Sequence, residues 1–252
     1  MNKSVANIKK EFEQAENTEI DALCEEYQDD ERSGVQKIII AVKKRNVQIM
    51  QEQLRLEEMC RYEKEYASSQ YICGIDEVGR GPLAGPVVAG AVILPKGCRI
   101  TYLNDSKKLS AAKREILYGE IMEQAIAVGI GIVSPAVIDE INILQATYEA
   151  MRQAIGKLSV TPDLLLNDAV NIPKVNIRQV PIIKGDAKSI SIAAASIVAK
   201  VTRDRLMVEY DEVLPGYGFA SNKGYGSKEH TEALKILGET PIHRKSFIQN
   251  FI

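Results

Sequence analysis

A chain of 252 residues, 45% hydrophobic and 26% charged, has the make-up of a globular protein with room for a sizeable core. No apolar run approaches the ~20 residues of a membrane helix, and the polar segment from Met1 to Phe12 has no signal-peptide core, so a cytoplasmic protein without membrane contact is expected. The net charge of −2 excludes binding to nucleic acid through bulk charge alone: residues 1–70 carry 11 Lys and Arg against 15 Asp and Glu, the remainder 21 against 19. Any such binding would rest on a local patch.

The first 70 residues read as a helical extension, separate from a main domain over 71–252. Val35 to Tyr66 contains no Gly or Pro, and its apolar residues recur at roughly helical spacing, which predicts one long helix. The acidic stretch Glu25–Glu31, ending in Ser33-Gly34, separates it from a shorter helical segment near the terminus. The four cysteines (Cys24, Cys60, Cys73 and Cys98) are far apart and lack metal-ligand spacing, so free thiols are expected.

From Tyr71 the pattern changes to short β-rich runs. Tyr71–Asp76 and Val87–Leu94 flank a Gly/Pro turn and predict neighbouring antiparallel strands, with Ala127–Val133 as a third. Between them, Ser110 is placed to cap a helix that ends near Gln124. Ser134-Pro135 opens a further helix, in two pieces, to about Leu158. Leu164–Asp168 is almost wholly apolar and suits a central parallel strand, and Val180–Lys184 predicts the last strand. The Ala- and Ser-rich Ser189–Val201 can lie close to a sheet as a helix that continues past Arg203. A Gly/Tyr loop (216–226), a helix from about Ser227 to Leu237 and a basic segment, His243-Arg244-Lys245, close the chain. Strands first in a run and then separated by helices imply an α/β protein, with a mixed five-stranded sheet flanked by helices.

Gly79-Arg80-Gly81-Pro82-Leu83-Ala84 fits a dinucleotide-binding fingerprint, but Gly85-Pro86 and a β run follow where that motif needs a helix, so the nucleotide reading fails. The carboxylates are more informative. Asp76 and Glu77, Asp168, and Asp186 each follow an apolar run, and adjacent strands would bring them to one edge of the sheet. Four such groups repel unless cations neutralise them, and all-oxygen ligands suit Mg²⁺ or Mn²⁺. Two ions in such a site serve phosphodiester hydrolysis. In that setting Gly79 and Gly81 allow close approach of the backbone to a ligand, and Arg80 is a phosphate contact. Lys107, Lys108, Lys184, Lys188, Lys200, Arg203 and Lys223 are candidates for a phosphate track, and Tyr225, between glycines, for a stacking ring.

The stretch Gly74-Ile75-Asp76-Glu77-Val78-Gly79-Arg80-Gly81-Pro82-Leu83-Ala84-Gly85-Pro86 resembles the opening motif of bacterial ribonuclease HII. The resemblance continues in order through Asp105–Leu109, the strand ending in Asp168, Lys184-Gly185-Asp186, Ile192–Asp204, Lys223–His230 and His243–Phe247. It implies a ribonuclease H-like fold with C-terminal helices. It also implies endonucleolytic cleavage of RNA–DNA hybrids and at single ribonucleotides in duplex DNA, as in ribonucleotide excision repair. Carried over by position, Asp76, Glu77, Asp168 and Asp186 are the catalytic, metal-binding carboxylates for two Mn²⁺ or Mg²⁺ ions. Gly79, Arg80 and Gly81 read the 2′-hydroxyl and its phosphate, and Tyr225 stacks on the sugar at the junction. Lys107 and Lys188 are the substrate-binding lysines expected, on a protein expected to be monomeric. The sister ribonuclease HIII type and a non-catalytic hybrid-binding module are the alternatives. Asn167 stands where the family suggests an apolar residue, which leaves the packing of that strand open.

Overall fold

The computed structural model describes residues 3–16 and 19–251, and its contacts divide the chain into two compact units between Glu57 and Glu58. In the first unit, Val5–Gln14 (α1), Ile20–Glu26 (α2) and the start of Ser33–Met59 (α3) enclose a small core of Ile8, Phe12, Ile20, Cys24, Tyr27, Val35 and Ile39. Ser4 caps α1 by accepting from the Asn7 amide at 3.2 Å. The break between α2 and α3 falls in the acidic stretch as expected, but Ser33-Gly34, expected to end it, forms the first turn of α3. A Cβ on Gly34 would lie 2.9 Å from Val5, so the glycine is what lets the two helices touch. The predicted long helix is also broken, at Cys60, before the short Arg61–Glu65 (α4).

The second unit is built on a five-stranded sheet in the order β3-β2-β1-β4-β5: Ile72–Val78 (β1), Val87–Ile93 (β2), Ala127–Val133 (β3), Leu164–Asp168 (β4) and Arg178–Ile182 (β5). β1, β2 and β3 are antiparallel, whereas β4 pairs parallel with both β1 and β5, so the sheet is mixed as its sequence pattern implies. β5 begins and ends two residues earlier than predicted; Pro181, which has no amide to donate, is tolerated because this strand is the edge.

Ala111–Gln124 (α5) and Pro135–Gly156 (α6) follow the predicted caps, Ser110 and Ser134, while Ser189, expected as the first helical residue, is instead the cap of Ile190–Val213 (α7). Each of the three serines accepts a backbone amide from the first turn. α6 kinks at Asn142 (φ 66°), whose Oδ1 re-caps the second piece through the Leu144 and Gln145 amides. α6 and α7 cover opposite faces. Cβ atoms added at Gly129 and Gly131 would collide with the backbone of α6, and those at Gly74 and Gly90 with that of α7. The face under α6 is filled by Ile75, Ala89, Ala91, Ile138, Ala150, Met151 and Leu165. Beyond α7, Phe219–Asn222 (α8), Lys228–Leu237 (α9) and Lys245–Ile248 (α10) gather around a second core of Met207, Tyr217, Phe219, Leu234 and Ile248. Among the described residues no helix is long and apolar enough to cross a membrane.

Candidate active site

Register decides where the carboxylates go. Ile75 pairs with Asn167 across the parallel β1–β4 junction, so the next residues, Asp76 and Asp168, stand side by side at the end of that pairing. Period-two alternation then sends them to the face of Gly74 and Leu166, where α7 lies. Asp76 and Glu77 do not end β1 as expected; they are paired within it, with Gly90 and Ala89, and this fixes their backbone. Asp186 sits in a 3-10 turn, Gly185–Ala187, after β5. The turn is stitched to β4 because the Gly185 amide donates to Asp168 Oδ1 at 2.7 Å. Glu77, next to Asp76 on the strand, repels Asp76 and Asp168, and Asp168 repels Asp186, so all four predicted carboxylates lie within electrostatic reach of one another.

Their environment is tense. Burial, followed by repulsion from Glu77 and Asp168, holds the Asp76 carboxyl well above the usual range. Burial raises Glu77 too, although Arg80 opposes the shift, and burial with repulsion from Asp105 and Asp168 raises Asp186. Asp105 is a fifth carboxylate, close enough to hydrogen-bond Asp186. Lys107 is the cation set against this cluster. Burial lowers its pKa, but Asp105, Asp76, Asp186 and Asp168 together outweigh that and raise it. Its placement follows from Ser106, whose hydroxyl is 2.9 Å from that of Ser196 on α7, itself a hydrogen-bond partner of Asp76.

Among the described residues no three acidic, His or Cys side chains already form a metal-ligand group. The carboxylates are held by other partners. Asp76 accepts from the Glu77 amide at 2.8 Å, Glu77 Oε1 from Arg80 at 3.2 Å, and Asp168 from Gly185. Glu77 Oε2, the oxygen turned away from the Arg80 bond, is nonetheless buried without a hydrogen-bond partner among the described residues. That orphan, together with an all-oxygen donor set and its mutual repulsion, fits divalent cations of the Mg²⁺ and Mn²⁺ type.

The glycine turn follows β1. Gly79 has φ 87°, and an added Cβ there would strike the Arg203 side chain; Arg80 and Gly81 are exposed. The ring of Tyr225, 45% exposed, is its neighbour: a Cβ on Gly81 would lie 4.0 Å from Tyr225 Cε1. Lys188 is exposed two residues past Asp186, and among the described residues it makes no hydrogen bond or ion pair with the carboxylates.

Two arginines carry a role the sequence did not disclose. Arg203, expected on a phosphate track, is fully buried and donates to the carbonyls of Pro86, Lys223 and Ala84 at 2.9, 2.8 and 3.0 Å. Arg244, which reads as part of a basic surface segment, is also fully buried. It donates to Arg80 O at 2.9 Å, Gly79 O at 2.5 Å and Gly85 O at 3.0 Å. With their carbonyls drawn inward, the turn residues Gly79–Gly81 are fixed from behind. Lys200 is likewise engaged, at 2.8 Å from Asp204. Asn167 is fully buried and donates to Val170 O and Gln179 Oε1, and so braces the loop after Asp168. Its Oδ1 is buried without a hydrogen-bond partner among the described residues.

Against known proteins, the model described as Ribonuclease HII matches residues 73–250, and that of the Ribonuclease HII N-terminal domain residues 4–67. The chain is 65% identical to the ribonuclease HII of Lachnoclostridium phytofermentans, over 99% of this chain and 98% of that one. It is 57% identical to that of Enterococcus faecalis, over 88% and 87%. The chain belongs to the ribonuclease HII family. Its fold agrees: a chain of the PCNA–RNase HII complex from Archaeoglobus fulgidus matches with a TM-score of 0.58 at 28% identity, covering 69% of this chain and 94% of that one. Membership of the ribonuclease HII family makes the cluster of Asp76, Glu77, Asp168 and Asp186 the candidate catalytic centre of a metal-dependent endoribonuclease.

Proposed function

We propose that the chain hydrolyses the RNA strand of RNA–DNA hybrids and cuts on the 5′ side of single ribonucleotides embedded in duplex DNA, leaving 5′-phosphate and 3′-hydroxyl ends. The observation that carries this reading is the meeting of four carboxylates with a fixed glycine turn and an exposed aromatic ring. Asp76, Glu77, Asp168 and Asp186 would hold two Mn²⁺ or Mg²⁺ ions. Bound there, divalent cations supply charge neutralisation and an acidified water at the phosphate.

The chain's own residues supply recognition. Gly79 and Gly81 let the backbone reach a 2′-hydroxyl, the one group that distinguishes ribose from deoxyribose. Arg80, whose side chain is 46% exposed, has only to leave Glu77 to take a phosphate in a two-pronged hydrogen bond. Tyr225 stacks on the sugar of the following deoxynucleotide. Lys107, already held over the carboxylates, balances the incoming scissile phosphate, and Lys188 meets the flanking strand through solvent-exposed charge. The protein works in the cytoplasm, as a monomer.

The test offers a DNA duplex with one internal ribonucleotide, beside an all-DNA duplex, with Mn²⁺, Mg²⁺ or EDTA. Cutting of the first alone, only with a divalent ion and on the 5′ side of the ribonucleotide, is expected. Cutting of both duplexes, or of neither, would overturn the proposal.

A further inference from the structure

Two buried histidines lie behind the Tyr225 ring, outside the carboxylate cluster. His230 Nε2 is 3.0 Å from His243 Nε2, and both rings are shielded by Tyr217 and Phe219. The proton positions follow from the two ends of the chain they form. At one end the Thr240 amide, which can only donate, points at His243 Nδ1 from 2.9 Å, and the Thr240 hydroxyl, 2.8 Å from the same nitrogen, is free to turn its proton towards it. His243 in its neutral form must then carry its proton on Nε2 and donate it to His230 Nε2. At the other end the Tyr225 carbonyl can only accept, and it lies 2.8 Å from His230 Nδ1. Both imidazoles are thereby fixed as neutral rings of opposite tautomer, and the donor sequence runs Thr240, His243, His230, Tyr225. A second proton on His230 would leave a donor facing a donor, and one on His243 Nδ1 would face the Thr240 amide, with the Thr240 hydroxyl alone to accept it.

The residue after His243 acts on the opposite partner. Arg244 binds the carbonyls of Gly79, Arg80 and Gly85, while its own amide donates to Leu83 O at 2.8 Å. The Gly224 carbonyl in turn accepts from the Leu83 and Ala84 amides. One dipeptide therefore grips both the turn that bears Arg80 and the backbone that bears Tyr225. We propose that His243 and Arg244 are positioning residues that set the separation of the Gly79–Gly81 turn from the Tyr225 ring, and with it the discrimination of ribose at an RNA–DNA junction. This rests on the ribonucleotide-cleaving reading above. It adds that His243 acts on the substrate solely through His230 and the Tyr225 backbone.

A double-mutant cycle tests it. His243→Phe keeps an aromatic ring but donates nothing. In the wild-type background it should lower kcat/KM on the single-ribonucleotide duplex by about tenfold, and in a Tyr225→Ala background by less than about twofold. Equal losses in both backgrounds would mean that His243 does no more than hold the fold, and would overturn the inference. Nitrogen NMR of the unaltered protein at neutral pH is a second arm, independent of whether the variant folds. It should show His243 protonated at Nε2 alone and His230 at Nδ1 alone; any other pattern overturns the relay. If the wild-type protein leaves the ribonucleotide duplex intact, the cleavage reading fails while the tautomer measurement still stands.

Discussion

Arg203→Met is the sharpest test of how the glycine turn is held. The guanidinium is fully buried and touches no carboxylate; its partners are the carbonyls of Pro86, Lys223 and Ala84. Methionine nearly fills the space and removes a buried charge, a gain, because burial already depresses the Arg203 pKa. It also strands three carbonyls that have lost their charged donor, at about 1–3 kcal/mol each. Three stranded carbonyls at that rate outweigh the relief and leave a net cost of about 3–5 kcal/mol. At about 2–4 °C per kcal/mol for a domain of this size, the melting temperature should fall by roughly 6–20 °C. Thermal unfolding followed by far-UV circular dichroism, without added metal, reads this directly. Arg203→Lys should fall between the two, since one ammonium cannot reach three carbonyls in the fork arrangement. A Met variant that melts within a degree or two of the wild type would refute the account, because the carbonyls would then have other donors.

Four further outcomes follow from the same geometry. Asp76→Asn removes the most buried charge of the cluster, and cleavage under Mg²⁺ should disappear while hybrid binding by gel shift persists; retained turnover would sink the assignment. The same variant should melt no lower than the wild type without metal, since it relieves repulsion from Glu77 and Asp168, and should lose most of the stabilisation that Mn²⁺ gives the wild type. Burial, then repulsion from His230, lowers His243 to about 4 despite the opposing pull of Glu239. A histidine kept neutral in the fold contributes stability in full above its unfolded pKa near 6.5 and loses it towards the folded value. The His243 share of stability should therefore be lost as pH drops from about 6.5 to 4, by roughly 3 kcal/mol at the acid end, while the raised carboxyls of Asp76, Glu77 and Asp186 act in the opposite sense. That share is read as the difference between the pH profiles of the wild type and His243→Phe, and identical profiles would count against it. Gly79→Ala combines a left-handed backbone with a Cβ aimed at Arg203, and should cost about 1–3 kcal/mol in denaturant titrations as well as most of the activity.

The fold was legible wherever one local rule governed. Ser110 and Ser134 marked helix starts because a side-chain oxygen before a helical run has one good use, and each caps as expected. Strand ends were less legible. β1 continues through Asp76 and Glu77 because β2 supplies partners for both, a tertiary fact that no pattern of apolar residues encodes. The same holds for Gly34, a separator by local rules, which α3 absorbs because Val5 packs against it.

In the site, chemistry that is unusual for its residue type could be read from the chain, and chemistry that is ordinary could not. Asp76, Glu77, Asp168 and Asp186 follow apolar runs where solvent would not be expected to hold a charge, and the strand register unites them. Arg203 and Arg244 lie among lysines and polar residues, so the sequence offers a surface reading first. What reverses it is the backbone of the Gly79–Pro86 turn. A chain that turns back on itself there leaves the carbonyls of Gly79, Arg80, Ala84, Gly85 and Pro86 outside any strand or helix ladder, and buried carbonyls require donors. Arginine meets that need with up to five donors, and a fold that spends two of them on one turn holds that turn far more rigidly than glycine would allow alone. The glycines therefore serve approach to a ligand, and the hidden arginines restore the stiffness that glycine gives up.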